Sequence, residues 1–192
     1  MNELLTKVLD AHGGLERWHS YNKVEATIVA GGGFFALKGA LMDADPRRMA
    51  VWLHEERATL SNFGAADQRI MFTPERIAVE KLDGTIVGER FAPKGSFAGH
   101  QMHTPWDPLH LAYFNGEALW TYFATPFVFA MDGFRIEQTV PWQEERGGCC
   151  VSIFLARLGR IARFRISSLT RNSSFAATTT ASILPEASPP CN

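Results

Sequence analysis

The sequence predicts an α+β domain that is mainly β: a curved antiparallel meander, or half-open barrel, covered by an N-terminal helix and a central helix. Three observations predict it. Between Lys23 and Phe91, apolar and polar residues alternate in short runs separated by Gly, Asp and Pro, the period-two pattern of half-buried strands. The connections between these runs are too short for parallel crossovers, so neighbours must run antiparallel. Finally, the segment from Pro108 to Ala124 carries a helical apolar stripe bounded by start and stop signals.

In chain order, Asn2 is a candidate N-cap for a helix with Leu4, Leu5, Val8 and Leu9 on one face. Gly13-Gly14 ends it, and Leu15 to Trp18 forms a second short turn. Val24, Ala26 and Ile28 alternate with Lys23, Glu25 and Thr27 as a first strand, and Gly31-Gly32-Gly33 is expected to turn the chain into a strand from Phe34 to Met42. Further strands are expected at Met49 to His54, Arg57 to Phe63, Gln68 to Phe72, Arg76 to Leu82 and Thr85 to Phe91, about seven in all. Asp83-Gly84 is a strong hairpin signal between the last two. For the central helix, Asp107 supplies the N-cap acceptor, Pro108 suits the first helical position, and Thr125-Pro126 stops it. Gly116 inside this helix costs about 1 kcal/mol relative to Ala, which implies a close approach by another backbone. Phe127-Val128-Phe129 extends the apolar surface, and Phe134 to Val140 is a candidate return strand.

The run from Leu4 to Trp18 (Leu-Leu-Thr-Lys-Val-Leu-Asp-Ala-His-Gly-Gly-Leu-Glu-Arg-Trp), the meander, and the block Trp106-Asp107-Pro108-Leu109-His110-Leu111-Ala112-Tyr113-Phe114 together resemble bacterial proteins of the LolA/LolB lipoprotein-carrier superfamily. The resemblance covers residues 3 to 143 or so. It implies a half-open antiparallel barrel wrapped over helices, enclosing an apolar cavity for acyl chains.

The chain changes character at Gly147. Residues 1–146 contain 14 Lys and Arg, 19 Asp and Glu and no cysteine, whereas residues 147–192 contain five Arg, one acid (Glu186) and all three cysteines, Cys149, Cys150 and Cys191. Residues 1–146 are therefore expected to form a single, incomplete domain. Residues 147–192 are expected to be an aberrant or disordered tail, an out-of-frame translation of what should have been the closing strands. Shifting the frame with permitted codons restores strand-like alternation there. An inactive truncated product is one consequence. An alternative for the tail is a basic amphipathic helix built on Arg157, Arg160, Arg163 and Arg165, of the kind that lies on membrane surfaces.

Composition limits the function classes. The 192 residues are 46% hydrophobic and 20% charged with a net charge of −1, ordinary for a globular domain and unlike a nucleic-acid-binding surface. The apolar run Leu119 to Met131 is short and broken by Pro126, so no stable membrane insertion is expected. The first residues lack a basic segment followed by a long apolar one, so the expectation as written is a cytoplasmic protein. Adjacent Cys149-Cys150 lacks the spacing of a metal knuckle. No Gly-x-Ser-x-Gly elbow or phosphate-binding glycine loop is present.

Two constellations remain. Phe35, Trp52, Tyr113, Trp120, Phe123 and Phe127 are candidate walls of a cavity for a lipid or other apolar small molecule, since acyl chains need broad dry surfaces rather than directional donors. The same residue types also fill ordinary cores. His100, His103, Asp107 and His110 combine nitrogen and oxygen donors suited to zinc, which would make the protein a metal-dependent enzyme. The alternative is that Asp107 caps the helix and His110 packs against the loop. Noncatalytic binding of an apolar ligand, without a cofactor, is the preferred reading; a protein partner is not indicated.

Overall fold

The computed structural model describes residues 3–40, 45–132, 134–138, 148–155, 160–167 and 182–183. These form two units, one of residues Glu16–Thr125 and one of Met1–Leu15 with Pro126–Asn192. Asn2 and residues 41–44 lie outside the described residues, as do 139–147 and most of the chain beyond Ser167.

In the first unit the alternating runs become six strands, β1 (Lys23–Ile28), β2 (Arg47–Trp52), β3 (Arg57–Ser61), β4 (Gln68–Phe72), β5 (Arg76–Lys81) and β6 (Ile86–Phe91). They pair antiparallel in sequence order, leaving β1 and β6 as the edges of an open sheet. The expected α+β, mainly β class is therefore the class observed. Register follows the apolar pattern: Val51 sits opposite Ala58, Leu60 opposite Ile70, and Phe72 opposite Ile77. Each of these six side chains is at most 1% exposed. A slip by one residue would move them all to the other face. That other face carries Arg69 paired to Glu80 at 2.6 Å and Arg76 paired to Glu89 at 2.7 Å. The turn at Asp83-Gly84 is pinned by the Thr85 amide, which donates to Asp83 Oδ1 at 2.9 Å.

The central helix α4, with α1 (Glu3–Ala11), α2 (Gly14–His19) and α3 (Gly33–Leu37) before it in the chain, runs over Pro108–Ala124, the span expected. Asp107 accepts from the His110 amide at 2.8 Å, and Thr125 turns extended while its hydroxyl donates to Thr121 O at 2.7 Å. The helix lies across β2 to β6. Gly116 is what allows this. A Cβ there would meet Phe72 Cβ and Cγ and stand 2.8 Å from Phe72 Cδ2, so the anticipated close approach is met by the root of a sheet side chain. Further along, Trp120 Nε1 donates to Trp52 O at 3.1 Å, tying the end of the helix to β2.

One element differs in kind from expectation. Phe34 to Met42 was expected as a strand, yet Gly33–Leu37 is a five-residue helix, α3, and the meander has six strands instead of about seven. Short apolar runs are ambiguous between the two states. Gly39 decides it here: at φ +65° it takes the left-handed conformation that ends helices cheaply, and Ala40 donates back to Phe35 O at 2.9 Å.

In the second unit, Phe127–Ala130 forms a 3₁₀ turn, and β7 (Phe134–Gln138), β8 (Gly148–Leu155), β9 (Arg160–Ser167) and β10 (Ser182–Ile183) form a separate antiparallel sheet in the order β10-β9-β8-β7. Residues 148–155 and 160–167 are thus strands, where the sequence reading expects an irregular tail or, in its alternative form, a basic helix. The reason is local: Cys149 to Leu155 is rich in β-branched and apolar types, and Ala162, Phe164 and Ile166 recur at period two. Among the described residues, no helix is long and apolar enough to cross a membrane.

Candidate functional site: an aromatic cluster around a buried lysine

The side chains that collect around α3 and the first half of α4 come from three segments. From α3 and its C-cap come Phe34, Phe35 and Lys38; from the loop after β6 come Phe97, His100 and Trp106; from α4 come His110, Tyr113 and Phe114. A backbone bond from Trp106 N to Lys38 O at 2.8 Å joins the loop to the end of α3, and within the loop Gln101 N donates to the Thr104 hydroxyl oxygen at 2.9 Å.

Ring contacts run through the whole group. Phe34 meets Trp106 at 5.5 Å and Phe114 at 5.6 Å, Phe35 meets Phe114 at 6.0 Å, and Trp106 meets Phe114 at 5.1 Å between centroids. These separations lie within the range of favourable edge and tilted pairs, each contributing about 0.5–1.5 kcal/mol beyond area burial. Phe97 links this cluster to the histidines, 5.6 Å from His100 and 4.8 Å from His110. The cluster is not sealed. Phe34 is 38% exposed, and its neighbours in the chain and loop, Leu37 and Met102, are exposed as well.

Below the rings, a polar network starts at the sheet edge. Arg90 of β6 grips Asp107 with its two terminal nitrogens, at 2.6 and 3.4 Å, and also reaches Ser96 Oγ at 3.4 Å. The His110 ring completes a capping box by accepting from the Asp107 amide at 3.3 Å on Nδ1, while Nε2 lies 3.3 Å from Ser96 O. His110 Nδ1 also lies 3.0 Å from Asp107 Oδ1. Burial works against ionisation of Asp107, but the Arg90 hydrogen bonds, the His110 amide and the nearby positive charge outweigh it, and its carboxyl is held below the usual carboxylate range.

Lys38 and His100 are the unusual members. Lys38 is 5% exposed, donates to Gln101 O at 2.7 Å, and lies 5.2 Å from the Trp106 ring and 5.7 Å from the Phe34 ring. Among the described residues it has no carboxylate partner. The His100 ring lies 4.9 Å from His110 at a tilt of 52°, and its Nδ1 is buried without a hydrogen bond, as is Trp106 Nε1. Burial, then electrostatic interaction with His110 and Lys38, lower the His100 pKa from 6.5, with Asp107 opposing. A histidine with a lowered folded pKa binds fewer protons than in the unfolded chain, so its contribution to stability is present above about pH 6.5 and is lost as pH falls through the folded value. Thermal melts from pH 7 to pH 5 are therefore expected to show a fall in stability that is smaller in His100→Phe, with the difference between the two curves as the readout.

The residues singled out from sequence are dispersed. Phe35 belongs to the cluster, and Tyr113, 2% exposed, packs between Phe97 and Phe72. Trp120 is buried and Phe123 half-buried further along α4. Trp52 lies on the sheet face turned away from α4, where the Arg57 guanidinium covers its ring at 4.1 Å; its even place in β2 puts it opposite the parity of Met49 and Val51. Phe127 is buried in the other unit. Of the proposed zinc ligands, His100 and His110 do meet, Asp107 is engaged by Arg90 and the helix cap, and His103 is exposed. Among the described residues no three His, Cys, Asp or Glu side chains are placed to hold a metal. Sequence reasoning passed over Lys38, Phe97, Trp106 and Phe114 as site residues. A lone lysine inside the apolar run Phe34 to Ala40 was the available signal.

No family model matches the chain, and neither a curated protein nor a solved structure is similar enough to it to count as a match.

Proposed function

We propose that the protein is a noncatalytic binder of an apolar ligand, a lipid or acyl chain, and that the ligand lies on the cluster of Phe34, Phe35, Trp106 and Phe114. The observation that carries this reading is a group of large rings in mutual contact of which Phe34 remains 38% exposed. Contiguous accessible aromatic surface is a common mark of an interaction site. The space between sheet and α4 is a poorer host, because Gly116 and Phe72 meet there without room for a methyl group. Binding would proceed by burial alone, with about 0.8 kcal/mol gained per CH₂ removed from water. The resemblance to lipoprotein carriers is compatible with such a ligand.

Native mass spectrometry of the mildly purified full chain, together with titration of the fluorescent fatty acid cis-parinaric acid, tests this. Uptake is expected in the wild type. Replacing Phe34 and Phe114 together by alanine is expected to weaken it about tenfold or more, roughly two lost methylene equivalents, while Tyr122→Ala, at an exposed position of α4, leaves it unchanged. A protein that stays ligand-free in both assays is not a carrier.

A further inference from the structure

We propose that Lys38, Trp106 and His100 form a head-group site for the carboxylate of a long-chain fatty acid whose tail lies on Phe34, Phe35 and Phe114. This rests on the apolar-ligand reading above and names the ligand's class. An ammonium removed from water is costly unless an opposite charge or several acceptors replace the lost hydration. Lys38 is 5% exposed, yet its partners are one carbonyl, Gln101 O at 2.7 Å, and the faces of two rings. Two of its three donors are left for a ligand.

Two further polar atoms beside it are buried and unpartnered, Trp106 Nε1 and His100 Nδ1. Buried groups of this kind are nearly always satisfied in native structures, so two of them beside an ammonium that has a single carbonyl partner call for an acceptor that is itself shielded from water. The indole can only donate. The missing partner is therefore an oxygen acceptor, and the ammonium makes it an anionic one.

Charge selects among anions. Arg90, the next cation along the network, is already spent on Asp107, which leaves one uncompensated positive charge. A carboxylate, with one charge and two oxygens for the ammonium and the indole, matches it; a phosphate dianion exceeds it. Access is short, because the ammonium lies 5.7 Å from the ring of Phe34, which is itself partly exposed. A rotamer change of that ring opens the way to the cation while its neighbours receive the tail.

The test compares oleate, oleyl alcohol and oleyl phosphate on the full chain by calorimetry, at a pH where oleate is ionised. Oleate is expected to bind at least tenfold more tightly than the alcohol, and the phosphate no better than oleate. Lys38→Met is expected to abolish the preference for acid over alcohol. Trp106→Phe removes the unpaired N–H together with part of the ring surface, so it is expected to weaken both ligands and to weaken oleate three- to tenfold more than the alcohol. Should Lys38→Met not fold, Trp106→Phe carries the test. Equal binding of acid and alcohol overturns the head-group site and leaves the apolar-ligand reading standing. Tighter binding of the phosphate, or an undiminished preference in folded variants, overturns it too, and binding of none of the three overturns both proposals.

Discussion

Gly116→Ala is expected to lower the stability of the protein by about 2 kcal/mol, against the helix-propensity trend. In an exposed helix the same change would stabilise by about 1 kcal/mol. Here the added methyl would meet Phe72 Cβ and Cγ, and Phe72, at the end of β4, is 1% exposed. A Cβ cannot rotate away, so helix and sheet must separate, and overpacking of this kind typically costs about 1–3 kcal/mol. Urea denaturation checks it, with a lower midpoint at unchanged slope. Phe72→Ala by itself is expected to cost about 3–5 kcal/mol as a core truncation. In the double variant the alanine at position 116 should cost less, because Cγ and the ring are gone, but not nothing, because the Phe72 Cβ remains. Full additivity of the two changes would show that the close contact is not what glycine protects.

Asp107→Ala is expected to cost about 1–1.5 kcal/mol, and Asp107→Asn distinctly less. The alanine removes the acceptor for the His110 amide, a cap contact of about 1 kcal/mol, and leaves Arg90, whose side chain is 27% exposed, without its carboxylate. Asparagine keeps a cap acceptor and loses only the charge. Because the Asp107 side chain is 42% exposed, water screens the pair, and the ion-pair share belongs at the modest end of the range for partly exposed bridges. The pH dependence follows from the lowered folded pKa of Asp107: its contribution is fully present above the ordinary carboxylate value near pH 4 and is lost as pH falls through the folded value. Acid titration of wild type and Asp107→Asn, followed by circular dichroism, should show the two curves converging at the lowest pH. Parallel curves throughout would remove the pair from the account of stability.

Both results bear on the site as much as on the fold. Gly116 sets how near α4 lies to the sheet, and Asp107 fixes where that helix begins, so together they place Phe114 and His110 beside the loop that carries Trp106 and His100.

Much of this was legible in the residues. The strands from β2 to β6 and the limits of α4 follow from alternation and from Asp107, Pro108, Thr125 and Pro126, because those signals act within a few residues and need no partner. Phe34 to Ala40 was not legible, since an apolar run of that length suits either a strand or a helix, and the left-handed Gly39 tips the balance. Strands β8 and β9 were missed for a related reason: a change in charge and composition along the chain is no measure of local β propensity. Residue type alone does not place an aromatic side chain on one face or the other of a strand. Type alone groups Trp52 with Trp120, although the parity of β2 turns the Trp52 side chain to the sheet face away from α4.

What the sequence by itself determined was the class, the order of the strands and the one long helix, each a consequence of short-range periodicity and capping. What only the tertiary structure decided was which side chains share a site. Lys38, His100, Trp106 and Phe114 are far apart or differently housed along the chain, and no local pattern marks them as neighbours. Their meeting depends on how closely α4 settles on the sheet and on where the loop from Pro93 to Trp106 is pinned, and both are set by packing and hydrogen bonds between residues distant in sequence.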